Sequence, residues 1–131
     1  MEVIIAKNAG FCEGVKNALN KTLNKAQENE NVITYGPLVH NIEVINELKS
    51  RGVKIVNNLD QIERGSTLII RSHGAGPQVF SKAKENNIYV VDATCPFVKK
   101  VQKKAYEIYK NNYQLIIIGD PKHPEVKAIN M

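Results

Sequence analysis

Cysteine is scarce in this sequence, aromatics make up only 6% of it, tryptophan is absent, and no long apolar run occurs. Two cysteines are too few for a disulfide scaffold, and in a reducing compartment they read instead as thiols, metal ligands or nucleophiles. The longest apolar runs, such as Leu115 to Ile118, are far too short to cross a bilayer as a helix, so no membrane association is expected. The opening residues MEVIIAKNAG lack the positive flank, apolar block and small-residue cleavage site of a secretory leader, which predicts a cytoplasmic protein. Basic residues are not interleaved with aromatics in the way that stacks bases, so the net charge of +5 does not indicate a nucleic-acid partner. Most of the lysines fall on segments with helical periodicity, where they cover solvated faces.

A chain of 131 residues is about one domain long, and such a domain buries roughly two-thirds of the surface its unfolded chain exposes. Six short runs rich in β-branched residues stand out: 3 to 5, 32 to 34, 53 to 56, 67 to 70, 88 to 91 and 115 to 118. They do not alternate with polar residues, which is the pattern of strands covered on both faces. Helical stripes lie between them: Val15, Ala18, Leu19, Thr22, Leu23 and Ala26 in the first; Ile42, Ile45 and Leu48 in the second; Val98, Val101, Ala105, Ile108 and Tyr109 after Cys95. The expectation is an α/β fold, a parallel sheet flanked by helices on both faces. Breakers at Gly36-Pro37, Arg51-Gly52, Arg64-Gly65, Gly74 to Pro77 and Asp120-Pro121 separate the elements. Between Val53 and Leu68 there is room for little beyond a strand and a loop, so that connection should not be a full helical crossover.

In open α/β sheets, ligands bind beyond the carboxyl ends of the strands. Every cysteine and histidine of this chain falls at such a point: Cys12 in NAGFCEGV, His40 in YGPLVHN, His73 in RSHGAGP, Cys95 in DATCP and His123 in GDPKHPE. Pro96 suits the first turn of a helix, which puts Cys95 at or next to the N-cap. Cys12 has a similar setting between Gly10 and Gly14, and a helix start favours thiolate over thiol. Two such sulfurs suit a soft metal centre. The histidines, beside glycines and helix starts, suit an anion such as a phosphate or diphosphate. Glu125, two residues after His123, is a candidate proton donor or simply a dipole-compensating first-turn acid. Zinc on Cys12, Cys95 and histidines is chemically possible, as is an iron-sulfur cluster with one iron open, and spacing does not choose between them. A phosphate-binding module, or a cysteine nucleophile with a histidine base, also fits the residues.

Five segments, GFCEGVKNA at 10 to 18, GPLVHNIEVINEL at 36 to 48, RSHGAG at 71 to 76, DATCPFVKKV at 92 to 101 and HPEV at 123 to 126, carry a more specific signal. In order and spacing they resemble the N-terminal part of the 4-hydroxy-3-methylbut-2-enyl diphosphate reductase (LytB) family, whose members catalyse the last step of the methylerythritol phosphate route to isoprenoids. The resemblance runs over essentially the whole chain. It implies three α/β lobes around a central cavity, with residues 1–95 as the first lobe and 96–131 as the start of the second. It also implies a [4Fe-4S] cluster on three cysteines, of which Cys12 and Cys95 are the first two. By the same resemblance His40, His73 and His123 hold the diphosphate of an allylic substrate, and Glu125 delivers a proton as the hydroxyl leaves. Ferredoxin or flavodoxin would supply electrons, and isopentenyl and dimethylallyl diphosphate would be the products. The third cluster cysteine of the family belongs to a later lobe, so the 131-residue chain alone is expected to be inactive. Asp120, Pro121 and Lys122 stand where many members show a Gly-His-x-Gly lead-in to HPEV.

Overall fold

The computed structural model of the chain describes residues 1–28 and 31–130. Met131, the last residue of the expected second lobe, lies outside them. Four parallel strands, β1 (Val32–Tyr35), β2 (Lys54–Val56), β3 (Thr67–Ile70) and β4 (Tyr89–Asp92), form one sheet in the order β2-β1-β3-β4. Ile33 lies opposite Lys54 on one side of β1 and opposite Leu68 on the other, and Leu68 is in turn paired with Val90.

Helices cover both faces, as the non-alternating strands require. On one face α1 (Glu13–Gln27) and α2 (Ile42–Ser50) pack Ala18 and Leu48 against Val32, Ile69 and Ala93, with Leu19, Leu23 and Ala26 at the margin. On the other, α3 (Pro77–Glu85) packs Val79 and Ala83 against Ile33, Leu68 and Ile70. Side chains alternate across a strand, so neighbours such as Leu68 and Ile69 enter opposite layers and both must be apolar. Each fully buried Leu or Ile contributes about 1.5–3 kcal/mol relative to exposure. The β2-to-β3 connection carries only a single 3₁₀ turn, Leu59–Gln61, with Asn58 accepting a hydrogen bond from the Asp60 N–H at 3.0 Å. The chain reverses at Gly52 and Gly65, both with φ near +80° (φ +85° and +78°), where a Cβ would be strained.

Three expectations from the sequence are not met. Residues 3 to 5 form no strand and are solvent-exposed, Ile4 at 83%. The run 115 to 118 is likewise outside any strand, with Ile118 97% exposed. Both runs have strand composition, but a strand exists only when a neighbour completes its hydrogen bonds, and among the described residues neither has one. The apolar stripe of α4 (Pro96–Lys110) also fails to reach a core: none of its residues is buried, and Val101 and Tyr109 are 55% and 75% exposed. A short last helix, α5 (Pro124–Ile129), buries only Ala128.

Candidate functional site

The strand order reverses direction between β1 and β3, and this topological switch point is where a doubly wound sheet opens a crevice for ligand. The loop after β1 carries His40 and the loop after β3 carries His73. Their ring centroids lie 5.9 Å apart, edge to face. His123, the N-cap of α5, lies 5.9 Å from His73 on the other side. Three histidines distant in sequence thus form a row with His73 in the middle.

The electrostatics of this row centre on His73. Burial pushes its pKa below the ordinary 6.5, and the neighbouring Arg71 charge, His123 and His40 push the same way, against an attractive contribution from Glu125. The protonated form of His73 is therefore disfavoured, and its Nδ1 is buried with no partner among the described residues. Nδ1 of His123 accepts a hydrogen bond from the Glu125 N–H at 3.3 Å, which ties that nitrogen to the start of α5. The Glu125 carboxylate stands close enough to His73 to act on its charge. Three imidazoles in a row, plus one carboxyl group, can bind an anion and pass a proton.

The sulfurs come to the same end of the sheet by a different route. Parallel pairing of β3 with β4 continues past both strand ends, through Ala93 N–H to Ile70 O at 3.0 Å and Cys95 N–H to Ser72 O at 3.0 Å. Cys95 is thereby laid alongside the residue preceding His73. The turn that delivers it is built by Asp92, whose Oδ1 accepts from the Thr94 N–H at 2.9 Å and from Thr94 Oγ1 at 2.5 Å. Burial works against the Asp92 carboxylate, but hydrogen bonds from Lys99 and Thr94 outweigh it and hold its pKa below 3.8. The Lys99 ammonium sits 2.6 Å from Asp92 Oδ2.

Cys12 is the N-cap of α1 and Cys95 the N-cap of α4; neither is in a disulfide, and neither sulfur accepts a capping hydrogen bond. Gly14, in the first turn of α1, meets Cys95 directly. A Cβ built there would lie 2.8 Å from Cys95 Sγ and 3.1 Å from its Cβ. The helix start that carries Cys12 is thus packed against the sulfur of Cys95, and the two cysteines belong to one mouth of the sheet rather than to opposite sides. Among the described residues no three His, Cys, Asp or Glu side chains are grouped so as to hold a metal ion, so a zinc site on both cysteines and the histidines is not assembled. Two thiols at uncapped helix starts, with a glycine clearing the space beside one of them, do fit partial ligation of an iron-sulfur cluster. Two cysteines from separate loops leave further positions to ligands elsewhere.

Several residues gain a place in the site only from the fold. Arg71 lies within RSHGAG, but its half-buried guanidinium beside His73 follows from the packing of the β1 and β3 loops. Gln102 of α4 turns a buried Nε2 toward Gly74, where a Cβ would lie 2.5 Å away. Asp92 has a local signal that could have been read, since Asp-x-Thr is the composition of a side-chain-closed turn.

Comparison with known proteins places these observations among relatives. The family model described as LytB protein matches residues 3–131. The chain is 42% identical over 131 residues to the 4-hydroxy-3-methylbut-2-enyl diphosphate reductase of Clostridioides difficile (strain 630), covering 99% of this chain and 47% of that protein. It is 43% identical over 132 residues to the reductase of the same name from Alkaliphilus oremlandii (strain OhILAs), again covering 99% and 47%. Among solved structures, that of (E)-4-hydroxy-3-methyl-but-2-enyl diphosphate reductase, the terminal enzyme of the non-mevalonate pathway, superposes with a TM-score of 0.84 at 36% identity, covering 98% of this chain and 46% of the other. The E-1-hydroxy-2-methyl-but-2-enyl-4-diphosphate reductase from Plasmodium falciparum superposes with a TM-score of 0.89 at 31% identity, covering 94% and 39%. The chain thus spans under half the length of these relatives.

Proposed function

We propose, from the fact that this chain belongs to the LytB protein family, that it acts as the N-terminal part of an iron-sulfur oxidoreductase of isoprenoid biosynthesis in the cytoplasm. The substrate would be 4-hydroxy-3-methylbut-2-enyl diphosphate and the products isopentenyl and dimethylallyl diphosphate. Two electrons and two protons enter, the allylic carbon–oxygen bond breaks, one proton leaves with the oxygen as water and the other ends on carbon. When bound, a [4Fe-4S] cluster supplies the electrons, received from ferredoxin or flavodoxin, and a Lewis-acidic iron.

The residues of this chain have separate tasks in that reaction. Cys12 and Cys95 would hold two of the cluster's irons as thiolates. His40, His73 and His123 would bind the diphosphate as hydrogen-bond donors, His73 in a setting whose burial and neighbouring charges lower its pKa. Glu125, near enough to His73 to act on its charge, would hold the proton needed at the departing hydroxyl. A division near Cys95, with residues 1–95 in a first lobe and 96–131 opening a second, is supported by the contrast between the packed sheet and the unburied α4. Two cysteines do not fill the ligand set of a cluster with one open iron, so activity is expected of a chain that also carries the third.

The observation that carries this reading is the contact of Gly14 with Cys95 Sγ, which brings both cysteine-bearing helix starts together beside the histidine row. Anaerobic reconstitution of the longer protein with iron and sulfide tests it. A brown protein with about four irons per chain is expected, lost in Cys12→Ser and Cys95→Ser. A colourless protein with stoichiometric zinc, or cluster content indifferent to both substitutions, defeats the assignment.

A further inference from the structure

A cavity of about 250 Å³ opens at the same switch point and is lined by none of the three histidines. Its walls come from the ends of three strands and from α5: Tyr35 and Gly36 after β1, Asn57 after β2, Arg71 and the Gly74 to Gly76 turn after β3, and Lys127. Two of these residues are cationic and none is acidic. We propose that this cavity is an oxyanion site that takes a phosphate-class group on the Arg71 guanidinium, with Lys127 as the second charge.

Arg71 is the residue that asks for a ligand. Its side chain is half-buried, its Nε is buried without a hydrogen-bond partner, and no carboxylate pairs with it among the described residues. Charges taken out of water are ordinarily paired, because desolvating an unpaired ion costs several kcal/mol. Burial accordingly pushes the Arg71 pKa below its ordinary value, opposed only by Tyr35. The fold nonetheless makes room for the group. Gly36 has φ +72° and its missing side chain clears the fork, since a Cβ there would lie 2.8 Å from Nη1. A planar guanidinium presents parallel N–H groups that match two oxygens of a phosphate. Tyr35 and Asn57 add polar side chains to the same walls. The volume lies below the roughly 300–1,000 Å³ of drug-sized pockets and suits a compact ion with its waters.

The group can arrive free, as inorganic phosphate, or carried on an organic diphosphate, and calorimetric titration of the full-length protein at fixed ionic strength and pH 8 separates these sources. One arm uses inorganic phosphate and the other isopentenyl diphosphate. A saturable component of binding in either arm that weakens about tenfold in Arg71→Gln and about threefold in Lys127→Gln supports the site and names its source. Lys127 is exposed, so Lys127→Gln reports on the cavity even if Arg71→Gln misfolds. Arg71→Lys, which keeps the charge and loses the fork, is expected to fall between wild type and Arg71→Gln. No saturable binding in either arm, or binding that Lys127→Gln and Arg71→Gln both leave unchanged, overturns the proposal. The latter result leaves the cluster reading of Cys12 and Cys95 intact.

Discussion

Replacing Gly14 by alanine separates the two demands that meet at the cysteine mouth. Gly14 is the second residue of α1 and its φ is not positive, so alanine is compatible with the backbone. On helix propensity alone the substitution stabilises by up to about 1 kcal/mol, less in a first turn. Against this, the new methyl group would sit 2.8 Å from Cys95 Sγ and 3.1 Å from Cys95 Cβ, closer than packed atoms tolerate. Overpacking a rigid core costs about 1–3 kcal/mol, but a cysteine has one side-chain torsion and can move its sulfur to another staggered position. The relief is therefore cheap for stability and damaging for ligation, because the sulfur leaves the mouth it shares with the Cys12 helix start. Gly14→Ala is expected to change unfolding free energy, measured by urea titration of the metal-free protein, by less than about 1 kcal/mol in either direction. Iron retained after anaerobic reconstitution should fall several-fold, with an altered electron paramagnetic resonance signal from the reduced cluster. Wild-type iron content and an unchanged spectrum in Gly14→Ala would refute the reasoning that this glycine clears the space for a ligating Cys95.

Leu68 is fully buried at the centre of the sheet, and Leu68→Ala should cost about 2–5 kcal/mol by urea unfolding. Asn41 caps α2 by accepting from the Val44 N–H at 3.1 Å, and Asn41→Ala should lose about 1 kcal/mol while shifting the adjacent His40, seen as a changed imidazole chemical shift. His73 has a folded pKa below 6.5, so in acid the unfolded chain binds a proton that the folded chain resists. Stability should fall as pH drops through about 6.5 and level off below the folded pKa, and His73→Gln should flatten that slope. A slope unchanged in His73→Gln would contradict the burial and charge assigned to the ring. Asp92→Asn removes the charge that pairs with Lys99 and should slow cluster assembly through a loosened Thr94 turn, without abolishing it.

The sheet core was legible because each buried element writes its period into the chain. Val32 to Thr34, Thr67 to Ile70 and the Ala18, Thr22 stripe of α1 are apolar or small wherever two layers cover them, and the structure buries them. The short connection after Val53 was equally legible, since two turn signals leave no length for a helix. Residues 3 to 5 and 115 to 118 show the limit of that logic. Their composition is that of strands, but composition states only a capacity to pair, and pairing needs a neighbour that these residues do not have here. The stripe of α4 is a further case: its period is helical and the helix forms, yet none of its residues is buried.

At the site, the residue types came from sequence alone, and so did the positions of His40, His73 and Cys95 after β1, β3 and β4; Cys12 and His123 follow runs that form no strand, and their places are set instead by the starts of α1 and α5. The convergence of these residues did not come from sequence. Whether Cys12 and Cys95 share a mouth depends on α1 packing beside the end of β4, and whether three histidines form a row depends on β1 and β3 being neighbours with α5 folded back over them. Local chemistry is set within a few residues of chain, whereas distances between loops are set by strand order and helix packing, which sum over the whole molecule. The unpaired Arg71 and the cavity around it belong wholly to this second kind, since no stretch of sequence states which charges will be left without a partner once the layers close.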